Sequence, residues 1–285
     1  MPSSSIVSAD WLIAHLGDPR VRVLDGSWYL SAWKRDPRRE FREGHIPGAQ
    51  LFSIDDASDV SSPLPHTLPP AAQFAEVVSR LGISSGDHVI VYDASGTNFS
   101  APRVWWMFRA YGHEDVSLLD GGFAAWKTAS GAVETGDPVP VSRGAFDAGL
   151  RAGMIRSAEQ VIEGRRTGGA QVVDMRSPGR FEGTEPEPRP GLRSGHIPGS
   201  RNVPYATLVD GAGRLRSDAE LREILQEAGI EVRRPVIATC GSGVTACSLL
   251  LALHVLGVTD ASLYDGSWSD WGQREDLPVE TGPPR

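Results

Sequence analysis

Short runs of apolar residues recur along the chain, separated by stretches in which apolar positions fall three or four apart. In the first half the runs are Arg22–Asp25, His88–Asp93 and Val116–Leu119; in the second they are Gln171–Met175, Pro235–Thr239 and Ala261–Tyr264. Runs this short, without polar alternation, predict strands buried on both faces. Between them the helical spacing predicts a helix capped by Ser8 and running through Leu16, a second over Ala71–Leu81 closed near Gly82, and a third over Pro102–Tyr111, where proline is tolerated in the first turn. The second half predicts helices over Ala158–Arg165, Asp218–Glu227 and Ala246–Leu256. Strands alternating with helices predict an α/β fold with a mainly parallel sheet covered on both faces. Ser31–Glu43 and Ser177–Gly195 carry no sustained period and are read as long surface loops.

The order of elements is the same in both halves because the chain repeats itself. Gly44-His45-Ile46-Pro47-Gly48 returns as Gly195-His196-Ile197-Pro198-Gly199, and Val133-Glu134-Thr135-Gly136 returns as Val279-Glu280-Thr281-Gly282. Leu119-Asp120-Gly121-Gly122 is answered by Tyr264-Asp265-Gly266-Ser267. Two copies in one order make a tandem duplication rather than a solenoid. The predicted domains are residues 1–136 and 154–285, joined by a polar linker at 137–153. His45 and His196 are expected to pin the Ile-Pro-Gly turns.

Composition narrows the chemistry. The 285 residues carry a net charge of −8 without a basic stripe, which excludes a phosphate backbone as the partner. No apolar run reaches the roughly 20 residues needed to span a bilayer, and without a basic segment followed by a long apolar core no signal peptide is expected. Two cysteines in this length argue against a disulfide framework and for a reducing, cytoplasmic setting. Their spacing does not match zinc ligation, and neither a metal nor an organic cofactor is expected.

Cys240 stands where the apolar strand Pro235–Thr239 breaks into Gly241-Ser242-Gly243 before a helical run. Backbone N–H groups and the positive end of a helix dipole converge at such a place and favour a thiolate. Cys240 is therefore the expected nucleophile, whereas Cys247, among Ala246, Leu249 and Leu250, is expected to pack. The first copy has Asp93 at the position of Cys240, which leaves it catalytically silent. Ligands of open α/β sheets collect at the carboxyl ends of strands, where Cys240 lies.

Two α/β copies, the twice-occurring Gly-His-Ile-Pro-Gly and one cysteine loop in the second copy resemble the tandem-domain rhodaneses. The loop Cys240-Gly241-Ser242-Gly243-Val244-Thr245 is similar to that of the 3-mercaptopyruvate sulfurtransferases in this family; thiosulfate-preferring members usually have basic residues after the cysteine. The resemblance implies two tandem rhodanese-like domains. It implies transfer of sulfane sulfur from 3-mercaptopyruvate, or from thiosulfate, through a Cys240 persulfide to thioredoxin, a small thiol or cyanide. It also implies that Gly241, Gly243, Val244 and Thr245 shape the loop around the substrate and that Arg180 and Arg189 hold its carboxylate, for which forked guanidinium donors are suited. Asp55, His66 and Ser242 match a serine–histidine–aspartate set that manages protons.

Two other classes fit the residues less well. Cysteine-dependent phosphatases need an arginine six positions after the cysteine, where this chain has Ala246. A non-catalytic persulfide carrier would have no use for the paired arginines, and turnover with mercaptopyruvate and a thiol separates it from an enzyme.

Overall fold

In this computed structural model, residues 4–284 are described, and they fall into two compact units of parallel design. Unit 1 comprises residues up to Val60, Leu68–Arg151 and Val209–Leu215; unit 2 comprises Ser61–Thr67, Ala152–Leu208 and Arg216 onward. Each unit thus takes in a short segment from the other half of the sequence, which the duplication alone does not reveal.

Unit 1 holds β1 (Ile6–Val7), α1 (Ala9–His15), β2 (Val21–Asp25), α2 (Pro37–Glu43), β3 (Gln50–Leu51), α3 (Ala71–Arg80), β4 (His88–Tyr92), α4 (Ala101–Ala110), β5 (Val116–Leu119) and α5 (Gly122–Thr128). All pairings are parallel and the strand order is β1-β5-β4-β2-β3. Val23, Leu24 and the β4 residues Val89–Tyr92 are buried, as strands covered on both faces must be. One face carries a core of Leu12, Phe41, Ile46, Ile90, Phe123 and Trp126. The other carries stacked and edge-on aromatic rings from Phe74, Phe108, Tyr111 and Phe146.

Unit 2 repeats this plan with β6 (Ile155–Arg156), α6 (Ala158–Thr167), β7 (Gln171–Asp174), α7 (Pro178–Glu182), β8 (Arg201–Asn202), α8 (Asp218–Glu227), β9 (Val236–Thr239), α9 (Ala246–Val255), β10 (Ala261–Tyr264) and α10 (Ser267–Trp271). Its strand order, β6-β10-β9-β7-β8, is that of unit 1 shifted by five elements. Ser157 with Gln160 and Ser217 with Glu220 form reciprocal capping boxes at the starts of α6 and α8.

Two expectations are corrected. The stretches 31–43 and 177–195 are not simple surface loops: the first contains α2 and the second α7. Both helices are short, with proline in the first turn, so they end before a period is visible in the sequence. Each buries its phenylalanine against the histidine of the repeated motif. Phe41 stacks on His45 and Phe181 on His196, both with ring centroids 3.8 Å apart. The histidine Nδ1 atoms face the carbonyls of Phe41 at 2.7 Å and Phe181 at 2.8 Å.

The two repeated motifs also bind each other. His45 and Glu134 exchange backbone hydrogen bonds of 2.9 Å each, and His196 and Glu280 do so at 2.8 and 3.0 Å. The glutamate side chains accept the N–H groups of Gly48 and Gly199, whose φ values of 74° and 70° suit glycine. Burial pushes the His196 imidazole below its ordinary value, in keeping with a structural role.

Candidate active site

Cys240 follows β9, the middle strand of the unit 2 sheet, and is buried with 2% of its surface exposed. The loop is fixed at both ends: every residue of β9 is buried, and α9 is buried from Ala246 through Leu253. Within the loop Gly243 has φ 80°, a left-handed conformation that other residues adopt only at a cost. The carbonyls of Cys240 and Gly241 turn toward α10 and accept Trp268 N–H at 3.0 Å and Ser269 N–H at 2.9 Å. Ser269 Oγ donates to the Gly241 carbonyl as well, at 2.7 Å, and Cys240 N–H donates to Ser267 Oγ at 3.3 Å. Cys247 lies in the first turn of α9, fully buried, with its thiol 3.3 Å from the Gly243 carbonyl.

Unit 1 shows what such a loop can hold. The carbonyl of Asp93 accepts Phe123 N–H at 3.0 Å, the counterpart of the Trp268 bond to Cys240. The Asp93 carboxylate accepts backbone N–H groups of Ser95 at 2.9 Å, Ser100 at 2.8 Å and Ala101 at 2.9 Å, together with the Ser95 hydroxyl at 2.5 Å. Unit 1 thus fills its own anion cradle with a carboxylate at the position of the cysteine.

Arg180, on α7, reaches the cysteine loop. A Cβ placed on Gly241 would stand 2.8 Å from Arg180 Nη2, so the guanidinium rests where a side chain at 241 would go. Arg180 Nε and Nη2 donate to Glu187 at 3.2 and 2.6 Å, and Glu187 also accepts Arg176 Nη1 at 2.6 Å. Arg176 is itself paired with Asp174 at 2.7 Å and lies 4.3 Å over the Trp268 ring. Arg189 stands half-buried between Pro188 and Pro190 in the same unit.

His66 belongs to the Ser61–Thr67 segment of unit 2 and is buried with φ 61°. Its Nδ1 lies 2.8 Å from Ser242 Oγ. Unit 2 therefore gathers Cys240, Ser242, His66 and Arg180, with Val244 and Thr245 buried at the start of α9. Asp55 lies in unit 1, where its carboxylate accepts the Trp28 indole N–H at 3.2 Å. Among the described residues no group of three or more His, Cys, Asp or Glu side chains could hold a metal ion.

Glu187, Arg176 and Ser267 are not singled out by the sequence. A signal existed for Arg176: it follows Asp174 as Ser27 follows Asp25 in the first copy, so the arginine is specific to the copy with the cysteine. Glu187 was hidden in the proline-rich run, where charge reads as solvated.

The Rhodanese-like domain profile matches residues 8–129 and 157–274, one match in each half. The chain is 46% identical to the 3-mercaptopyruvate sulfurtransferase of Rattus norvegicus over 95% of its own length and 92% of that protein's. It is 45% identical to the thiosulfate sulfurtransferase of Gallus gallus, covering 95% and 94%. The crystal structure of the 3-mercaptopyruvate sulfotransferase SseA from Escherichia coli superimposes with a TM-score of 0.86 at 40% identity, over 93% of this chain and 99% of that one. Duplicated sheets of identical strand order, the cysteine loop after the central strand and matches spanning both halves lead to one assignment: the chain belongs to the rhodanese family, with two copies of its domain.

Proposed function

We propose that this chain is a 3-mercaptopyruvate sulfurtransferase that carries sulfur on Cys240. The observation that carries the choice of donor is the Arg180 guanidinium beside Gly241, next to a cysteine whose two following residues are uncharged. Relatives named for mercaptopyruvate and for thiosulfate are almost equally similar, so overall identity does not choose between them. Thiosulfate is a compact dianion and calls for cations at the sulfur itself. Mercaptopyruvate keeps its carboxylate away from its sulfur, within the province of Arg180 and Arg189.

The reaction runs in two halves, as covalent catalysis does. The Cys240 thiolate attacks the sulfur of mercaptopyruvate, and the carbon–sulfur bond breaks with its electron pair going to carbon. The proton lost from the substrate thiol returns to that carbon, so pyruvate leaves and a persulfide anion remains on Cys240. Ser242, hydrogen-bonded to His66, is the group placed to move the proton. The loop N–H groups hold the persulfide as those of unit 1 hold the Asp93 carboxylate. An acceptor thiol such as thioredoxin or a small thiol, or cyanide, then removes the outer sulfur.

Neither nucleic acid nor membrane takes part in this reading. No described helix is long and apolar enough to cross a membrane, and both cysteines are free, as the cytoplasm would keep them.

Steady-state turnover with each donor and a common thiol acceptor tests the proposal. The expected outcome is a higher kcat/KM for mercaptopyruvate and one added sulfur atom on the Cys240 peptide by mass spectrometry. A preference for thiosulfate, or sulfur found on Cys247, would sink it.

A further inference from the structure

We propose that Glu187 is a positioning residue for sulfur transfer: it clamps one edge of Arg180 so that the other edge faces the cysteine loop. The inference rests on the reading of Cys240 as sulfur carrier and of Arg180 as a carboxylate anchor.

An arginine side chain on a short surface helix ordinarily samples many rotamers, and ordering it costs side-chain entropy. Here that freedom is removed. Arg180 Nε and Nη2 both bond to the Glu187 carboxylate, at 3.2 and 2.6 Å, a two-point grip that sets the plane of the guanidinium as well as its position. The Glu187 side chain is 2% exposed and Arg180 is 17% exposed, so the grip is largely sheltered from solvent and salt. Guanidinium has five N–H donors. With Nε and one Nη2 hydrogen engaged, both Nη1 hydrogens and one on Nη2 remain. These lie on the edge closest to Gly241, whose Cβ direction meets Nη2 at 2.8 Å and Nη1 at 3.9 Å. A planar carboxylate needs a fork of this kind.

Glu187 is fixed in turn. Arg176, with no side-chain exposure, bonds the same carboxylate at 2.6 Å and pairs with Asp174 on β7. Arg176 also rests on Trp268, whose N–H holds the Cys240 carbonyl. Two guanidinium groups and two carboxylates leave the cluster neutral, so a substrate carboxylate meets one open cationic edge rather than a diffuse positive field. Unit 1 uses its arginine differently. There Arg35 bonds Glu40 and donates to the carbonyl of Ala94, the residue after Asp93, at 2.9 Å. Arg35 thus spends a donor on the backbone of that loop, whereas the Arg180 bonds go to Glu187.

The test is Glu187→Gln, which keeps the shape of the side chain but replaces one acceptor oxygen with a donor. KM for mercaptopyruvate should rise about 10- to 100-fold with kcat within about threefold, the signature of lost substrate anchoring. Loading of Cys240 by hydrogen disulfide anion, HSS⁻, should proceed at the wild-type rate, because this donor passes one sulfur to the thiolate, leaves as HS⁻ and has no carboxylate to anchor. Glu187→Asp keeps the charge but withdraws the carboxylate, and should shift KM in the same direction if the glutamine variant does not fold. Calorimetric binding of pyruvate to the Cys240→Ser protein supplies a measure independent of turnover, expected to weaken about tenfold or more when Glu187→Gln is added. An unchanged KM with unchanged pyruvate affinity, or an equal loss in the mercaptopyruvate and disulfide reactions, would overturn the positioning role. A wild type inactive on mercaptopyruvate whose pyruvate affinity still depends on Glu187 would fail the functional reading alone.

Discussion

His66 Nδ1 and Ser242 Oγ lie 2.8 Å apart although 176 residues separate them in the chain. The imidazole is held there by a left-handed backbone at φ 61°, a conformation a non-glycine residue keeps only where its surroundings impose it. The pair gives the first prediction. His66→Gln should lower kcat for mercaptopyruvate by about 10²- to 10⁴-fold, the usual range for a proton-transfer group, with KM little changed. Transfer from HSS⁻, which protonates no carbon, should be affected far less. Equal losses with both donors would remove proton handling from His66.

Arg180 and Arg189 are expected to differ. Arg180→Ala removes a guanidinium lying beside Gly241 and should lower kcat/KM for mercaptopyruvate by about one to two decades, the worth of a charge-assisted hydrogen bond. Arg189→Ala should have a smaller effect in the same direction. Steady-state kinetics of both variants decide this, and wild-type values for Arg180→Ala would place the carboxylate elsewhere.

Gly241 keeps its place for want of a side chain. Its Cβ would come within 2.8 Å of Arg180 Nη2, so Gly241→Ala must push the guanidinium aside against the Glu187 grip. KM for mercaptopyruvate should rise severalfold while the fold remains intact by melting. The double change Gly241→Arg with Ser242→Lys should raise thiosulfate activity by adding cations near the sulfur. It should lower mercaptopyruvate activity through two routes, displacement of Arg180 and loss of the Ser242 hydroxyl. The ratio of the two efficiencies, measured at one ionic strength, is the readout.

Asp25 predicts a pH dependence of stability. Burial, reinforced by the nearby Asp93 and only partly offset by hydrogen bonds from Ser27 and Tyr92, pushes its carboxyl up from 3.8 to about 7. Between these values the unfolded chain has lost the proton while the folded chain keeps it. The stabilising contribution is therefore full below about pH 4 and is lost as pH rises toward 7. Asp25→Asn cannot ionise and can still accept the Ser27 N–H that Asp25 accepts at 2.9 Å. Relative to wild type, the variant should gain stability at pH 8 compared with pH 4.5, as read from denaturant midpoints. A difference independent of pH would show that Asp25 ionises normally in the fold.

The sequence by itself determined the duplication, the α/β class, the buried central strands and the position of Cys240. These are local matters: apolar runs, helix spacing, glycine after a strand and motifs repeated in order are all properties of neighbouring residues. It determined as well that Cys247 packs, because an apolar helical run leaves little else for it. Tertiary structure decided the rest. The edge strands β1, β3, β6 and β8 are two residues long and exist only because a partner strand offers a ladder. The helices α2 and α7 are too short for a period, and each is held by a phenylalanine stacked on a motif histidine. Ser61–Thr67 joins unit 2, which no local propensity encodes, and this delivers His66 to Ser242. Glu187 reads as a solvated charge in a proline-rich run, yet in the fold it is buried between two guanidinium groups. Burying a carboxylate is tolerable only where fixed cations surround it, and three-dimensional packing alone brings Arg176 and Arg180 to that place.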